Sequence, residues 1–282
     1  MTVPTVSIPD TEVHHLRSEF VGDDFELWIA KPQAGFVPSS EPPTVLYMLD
    51  ANLCFGTAVE MTRMMHKLYG ELPPILVVGI AYPNADSFVQ GVLRTRDFTP
   101  SIDNSLADRV AELPAVPQTV KVDPAMGGAR NFLQFLQEEV KPFIASRFEV
   151  SPENSTIFGS SLGGLFATYT LFTAPEAFDN FIIVSPSLWW DNERIFELEA
   201  SQAMRSCAIA SSVFLAVGEL EETPEIPMLA EFKSVTNVRK LADLLAKRND
   251  YSLELTLDVL ADETHTSVIP VALTRGLRNC LR

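Results

Sequence analysis

The stretch 157-IFGSSLGGLF-166 joins an apolar run to a segment of small and apolar residues through Gly159, two serines and a pair of glycines. Read as a strand that ends and a helix that begins, it places Gly159-Ser160-Ser161-Leu162-Gly163, a G-x-S-x-G pattern, at the turn between them. Such a turn holds its serine in a strained conformation that only small neighbours permit, and it lifts the hydroxyl above the sheet. The following helix aims free N–H groups at the same point. The pattern therefore predicts Ser161 as a nucleophile and the N–H of Leu162 as one oxyanion donor.

Working outward, the chain supplies the sheet that this turn needs. Residues 44–50 and 75–83 are continuous apolar runs bounded by Pro or Gly, as strands buried on both faces should be. Residues 11–18 and 24–31 alternate, with Gly22-Asp23 as a hairpin turn. Further strands are predicted at 155–159, 178–185, 212–218 and 252–260. Helical spacing runs over 57–69, where Gly70 stops it, and over 129–147, 162–173, 234–247 and onward from Val268. Alternation after an antiparallel start argues for an α/β fold: one mixed, mostly parallel sheet with helices on both faces. A single domain is expected to span 1–282. Residues 99–127, rich in proline and without period, are expected to cover the site.

Composition narrows the function. The chain has 282 residues and a formal net charge of −16, a surface that repels nucleic acid and anionic lipid. No apolar run approaches the ~18 residues of a spanning helix, and the N-terminus does not read as a signal peptide. The three cysteines, Cys54, Cys207 and Cys280, fit neither a disulfide framework nor a zinc site. A cytoplasmic protein acting on a small molecule is expected, with no metal, no nucleic acid and no membrane partner; a homodimer is compatible with this class.

A serine hydroxyl needs a base, and the chain has four histidines. His14 and His15 are adjacent on a peripheral strand, so their rings point to opposite faces, both expected in solvent. His66 sits late in a helix and is expected at a surface or rim. His265, in the loop after the last strand, lies at the carboxyl edge where α/β sites form, and is the predicted base. An acid should hold its tautomer. In the order Ser, acid, His, the cluster Glu219-Leu220-Glu221-Glu222 after strand 212–218 occupies that slot. Glu221 is the choice, three residues past Gly218, with Glu219 as runner-up. A second oxyanion donor should come from "LDANLCF", at Asn52 or Ala51. Trp189 and Trp190 stand at the same edge as pocket-lining candidates. Arg94 and Arg96 could each pair with Asp97, and Arg96 is carried beside that ion-pair reading as a substrate contact.

Longer stretches carry a resemblance: "LYMLDANLCF", "RTRDFTP" (94–100), "GGARNFLQFLQEEVKPFI" (127–144), "IFGSSLGGLFATYTLF" (157–172), "IVSPSLWWDN" (183–192), "AVGELE" (216–221) and "THTSVIPVALTRGL" (264–277). In this order they resemble the esterase D-like branch of the α/β-hydrolases, especially its siderophore-esterase-like serine hydrolases. The resemblance implies a serine carboxylic ester hydrolase with an acyl-enzyme, Ser161 as nucleophile, Glu221 as acid, His265 as base and no cofactor. Relatives of this kind hydrolyse siderophore, S-formylglutathione or feruloyl esters, or transfer acyl groups. Acyl transfer, or an inactive binding protein on the same fold, are the alternatives. Two departures stand out: Ser160 replaces the family's usual His, and Ala51 its usual Gly.

Overall fold

Strands β1 (Thr11–Arg17) and β2 (Asp24–Ala30) form the expected hairpin, closed by backbone bonds between Ser18 and Asp23 around Gly22. The computed structural model describes residues 6–36, 41–83, 86–105, 126–203, 210–248 and 252–281. After the hairpin come β3 (Thr44–Met48), β4 (Ile75–Ala81), β5 (Thr156–Ser160), β6 (Asn180–Val184), β7 (Ser212–Gly218) and β8 (Glu254–Leu260). They join in one eight-stranded sheet, in the order β1-β2-β4-β3-β5-β6-β7-β8. The β1–β2 and β2–β4 pairs are antiparallel and all others parallel. This is the mixed, mostly parallel sheet that the sequence predicts.

The helices are α1 (Ala51–Tyr69), α2 (Ser87–Phe98), α3 (Ala129–Phe135), α4 (Lys141–Arg147), α5 (Leu162–Thr173), α6 (Trp190–Ala203), α7 (Pro227–Phe232), α8 (Ser234–Lys247) and α9 (Val268–Cys280). A π turn, Leu136–Val140, joins α3 to α4. Period-two alternation sorts the strand residues between two cores. Val45, Tyr47, Leu76, Val78, Phe181, Ile183, Val213 and Leu215 face the core covered by α3, α4, α5 and α8. Leu46, Met48, Ile75, Val77, Ile182, Val184, Phe214 and Ala216 face the core beneath α1 and α9. Strands buried on both faces are why these segments read as continuous apolar runs.

Two expectations change. The first helix begins at Ala51, not 57, because Asp50 adopts a left-handed conformation (φ 55°) and turns the chain into α1 directly from β3. Helix α2 occupies a stretch assigned no helix. Its buried Gln90 and Asp97 interrupt the apolar stripe, although Asp86 caps it by accepting from the N–H groups of Phe88 and Val89. The expected cover, 99–127, falls mostly on 106–125, outside the described residues. Its near ends are tied together: Gly127 N–H donates to Thr99 Oγ1, and Gly128 N–H to the Arg96 carbonyl.

Candidate active site

Ser161 sits between β5 and α5 with φ 59° and ψ −120°, a conformation that costs a non-glycine residue about 1–3 kcal/mol. Neighbouring structure enforces it. Ser161 N–H donates to the Val184 carbonyl, and its own carbonyl accepts from Ser187 and Leu165 N–H groups. Gly159 is indispensable to this closure, since a Cβ there would lie 2.2 Å from the Gly163 carbonyl oxygen. Leu162 and Gly163 lie in the first turn of α5, whose N–H groups have no intrahelical acceptor.

His265 and Glu221 meet as the sequence order requires. His265 Nδ1 is 2.6 Å from Glu221 Oε2, and Glu221 is 3% exposed. The other carboxylate oxygen, Oε1, accepts from Gly218 N–H at 2.8 Å and Ser185 Oγ at 2.5 Å. A short 3-10 turn, Glu219–Glu222, swings Glu221 back beneath the histidine loop, while Glu219 accepts at the exposed Asp262 N–H. Ser185, buried and left-handed at φ 44°, was not singled out from sequence. Its only sequence signal is its place in "SPSLWW".

Ser161 and His265 share the wall between two cavities. One, roughly 270 Å³, is lined by Ser185, Ser187, Trp189, Leu229 and Phe232. There Trp189 stacks on Phe232 at 4.7 Å and 29°. Ser187 Oγ lies 3.4 Å from Ser161 Oγ. The second, roughly 250 Å³, is lined by Asp50, Cys54, Gln90, Arg94, Ser160 and Ile269, among others.

Several candidates lie elsewhere. Trp190 is 1% exposed and donates from Nε1 to the Ser101 carbonyl, so it packs beneath the site and lines neither cavity. Arg96 is likewise absent from both walls. Its guanidinium holds Asp97 at 2.7 Å and Asp23 at 2.8 Å. Tyr82 completes that cluster by donating to Asp97, whose carboxyl is raised above its usual range because burial outweighs those bonds. The cation beside the site is Arg94, and it is bound to Asp50 in a two-pronged pair at 2.8 Å. Burial opposes its charge, but Asp50 more than restores it, so its pKa rises. Removing one partner of such a buried pair costs about 3–5 kcal/mol. Arg94→Ala should therefore lower unfolding free energy by that amount in urea titrations; a loss below ~1 kcal/mol would contradict the pairing.

Asn52, expected to offer a backbone donor, is held by its side chain. Its side chain accepts from Tyr82 N–H and donates to the Tyr82 carbonyl, pinning the start of α1 to the end of β4. The Ala51 Cβ points into the sheet over Gly79, where an added Cβ would meet it at 2.7 Å, so the extra methyl does not enter the site. His66 is buried rather than at a rim, with Nδ1 bonded to the Leu72 carbonyl. His14, expected in solvent, is half-buried and edge-on to Phe143. Among the described residues no cluster of His, Cys, Asp and Glu is arranged to hold a metal, and no helix is long and apolar enough to cross a membrane.

Comparison with known proteins agrees with this architecture. Residues 18–252 match the family model "Esterase", described as "Putative esterase". The chain is 33% identical over 286 residues to the ferri-bacillibactin esterase BesA of Bacillus subtilis (strain 168), covering 98% of this chain and 91% of that protein. It is also 33% identical over 258 residues to the siderophore enterobactin esterase of Emericella nidulans, covering 85% and 82%. The crystal structure of the BES protein from Bacillus cereus matches with TM-score 0.79 and 32% identity over the full length of both chains. Siderophore hydrolase EstB from Aspergillus nidulans matches with TM-score 0.81 and 25% identity, covering 100% and 98%. With one family matched across most of its sequence and a third of its aligned residues shared with BesA, this chain belongs to the Esterase family and is an esterase of the α/β-hydrolase fold.

Proposed function

We propose that the enzyme hydrolyses its ester through a covalent acyl-enzyme on Ser161, with His265 and Glu221 completing the triad. The observation that carries this reading is the His265–Glu221 bond of 2.6 Å beside a strained serine that shares both cavity walls with the histidine. His265 Nε2 accepts the proton of the Ser161 hydroxyl as Ser161 Oγ attacks the ester carbonyl. The N–H groups of Leu162 and Asn52 receive the oxyanion, each such donor being worth ~3 kcal/mol of barrier. His265 then protonates the leaving alcohol, and next takes a proton from the water that releases the acid. Glu221 stays ionised and fixes Nδ1–H throughout.

The substrate we assign is a siderophore-type ester, the class that the names of the relatives at 33% identity print. We also assign the reaction to the cytoplasm, a reading supported by the free thiols Cys54 and Cys280, which a reducing compartment keeps reduced.

Ser185 gives the triad reading a sharp test. A hydrogen bond to a charged group is worth about 1.5–3 kcal/mol, so Ser185→Ala should lower kcat by roughly 10- to 100-fold. Because Ser185 acts through the acid, adding Ser185→Ala to Glu221→Gln should cost little more than Glu221→Gln alone. Fully additive losses would show that Ser185 serves only the fold.

A further inference from the structure

The tripeptide Ser185-Pro186-Ser187, just after β6, reaches both ends of the triad. Ser185 donates its hydroxyl to Glu221, and two residues on, Ser187 Oγ lies 3.4 Å from Ser161 Oγ. The backbone between them is clamped. Ser185 N–H donates to the Ala216 carbonyl, and Pro186 lies so close to α5 that a Cβ on Gly164 would meet its Cα at 2.9 Å. Ser187 N–H donates to the Ser161 carbonyl, and the Ser187 carbonyl accepts from Trp190 N–H. Ser187 thus cannot move away from the nucleophile without breaking bonds that hold the elbow.

Ser187 is 4% exposed, and among the described residues its hydroxyl has one hydrogen-bond partner, Ser161 Oγ. A buried hydroxyl normally makes a well-formed bond, and 3.4 Å is long for one. The length makes chemical sense. In the resting enzyme Ser161 Oγ is neutral and draws a donor weakly. As His265 removes its proton, charge builds on that oxygen, and a bond to a charged oxygen is shorter and about twice as strong. A contact that is weak in the ground state and strong in the transition state is the kind that raises a rate. The direction of the bond follows from the protons. An acylated Ser161 Oγ carries none, so it only accepts, and Ser187 is the donor.

Resting on the Ser161 esterase reading, we infer that Ser187 is a further catalytic residue, whose hydroxyl donates to Ser161 Oγ while that oxygen carries charge. It does so twice in each turnover, as Oγ attacks the ester and as Oγ leaves the acyl-enzyme. Ser187 keeps its own proton throughout; the Ser161 proton passes to His265, which gives it to the leaving alcohol, and the proton that His265 takes from water returns to Ser161.

The test is Ser187→Ala in the whole enzyme, which removes Oγ and keeps both backbone bonds. Competent sites are counted by titration to completion with diethyl p-nitrophenyl phosphate, which releases one nitrophenol per reactive serine. Rates per competent site are then measured with p-nitrophenyl acetate in water containing methanol, and acetate and methyl acetate are quantified. Ser187→Ala should titrate like wild type, yet lose roughly tenfold in both kcat/KM and kcat. The ratio of acetate to methyl acetate should not change, because Ser161 Oγ is the leaving group whichever nucleophile arrives. A loss under about twofold, or one accounted for by fewer competent sites, overturns the inference and assigns Ser187 to the fold. A changed product ratio also overturns it, by placing the hydroxyl on the incoming water instead of Ser161 Oγ. Each of these leaves the Ser161 mechanism standing. Wild-type enzyme that releases nitrophenol from neither reagent overturns both.

Discussion

Ser161→Ala should abolish ester hydrolysis, lowering kcat by about five orders of magnitude or more, while Tm stays within a few degrees of wild type. The reasoning starts at the backbone. The left-handed conformation of Ser161 is imposed by the bonds of its N–H to Val184 and of its carbonyl to Ser187 and Leu165. Alanine keeps those bonds and the same Cβ, so the elbow survives. The hydroxyl's recorded bond is the 3.4 Å contact with Ser187, too long to contribute much stability. What disappears is the atom that the proposed mechanism acylates. Residual activity should reflect only substrate positioning and the oxyanion donors. Circular dichroism alongside steady-state kinetics on p-nitrophenyl acetate checks both halves. A variant retaining more than about a hundredth of wild-type kcat would locate the nucleophile elsewhere.

His265→Ala is expected to be nearly as damaging, because an unactivated serine hydroxyl is a poor nucleophile. Its loop is exposed, and the imidazole's bond is to Glu221 rather than to the core, so the fold should persist. The two substitutions act on one event. The Ser161→Ala, His265→Ala double variant should therefore be no slower than the worse single one, a non-additivity expected of groups that act as a unit. Multiplying losses in the double variant would mean that the two side chains serve separate steps.

Much of this arrangement was legible in the sequence because it depends on order and on chain geometry. Gly159 and the serine pair mark the elbow, since no Cβ fits where Gly159 approaches Gly163. His265 could be placed by elimination and the acid by its slot after β7, with Glu219 as runner-up to Glu221, and the structure brings His265 and Glu221 into contact. The continuous apolar runs foretold a sheet covered on both faces, as its two cores show.

What escaped has physical causes. Helix α2 buries a glutamine and an aspartate, so its face does not read as apolar. Helix α6 opens on three left-handed residues, Asp191, Asn192 and Glu193, and no propensity argument foresees them. Arg96 lies two residues from Arg94 and carries the same charge, yet Arg96 meets Asp97 and Asp23 while Arg94 faces the site. That division depends on long-range pairing with Asp50 and Asp23, which no local pattern encodes. Trp189 and Trp190 are neighbours with opposite fates for a similar reason: the turn after β6 sends one ring to the cavity and the other under it.

The central claim is a covalent intermediate on one named oxygen, and its most direct test is to catch that intermediate. Wild-type enzyme would be mixed with p-nitrophenyl acetate, quenched in acid within the first turnover, digested and analysed by mass spectrometry. The mechanism predicts an acetyl group on Ser161, in an amount matching the burst of nitrophenol. Nitrophenol released with Ser161 unmodified, or with the acetyl group on another residue, would contradict it.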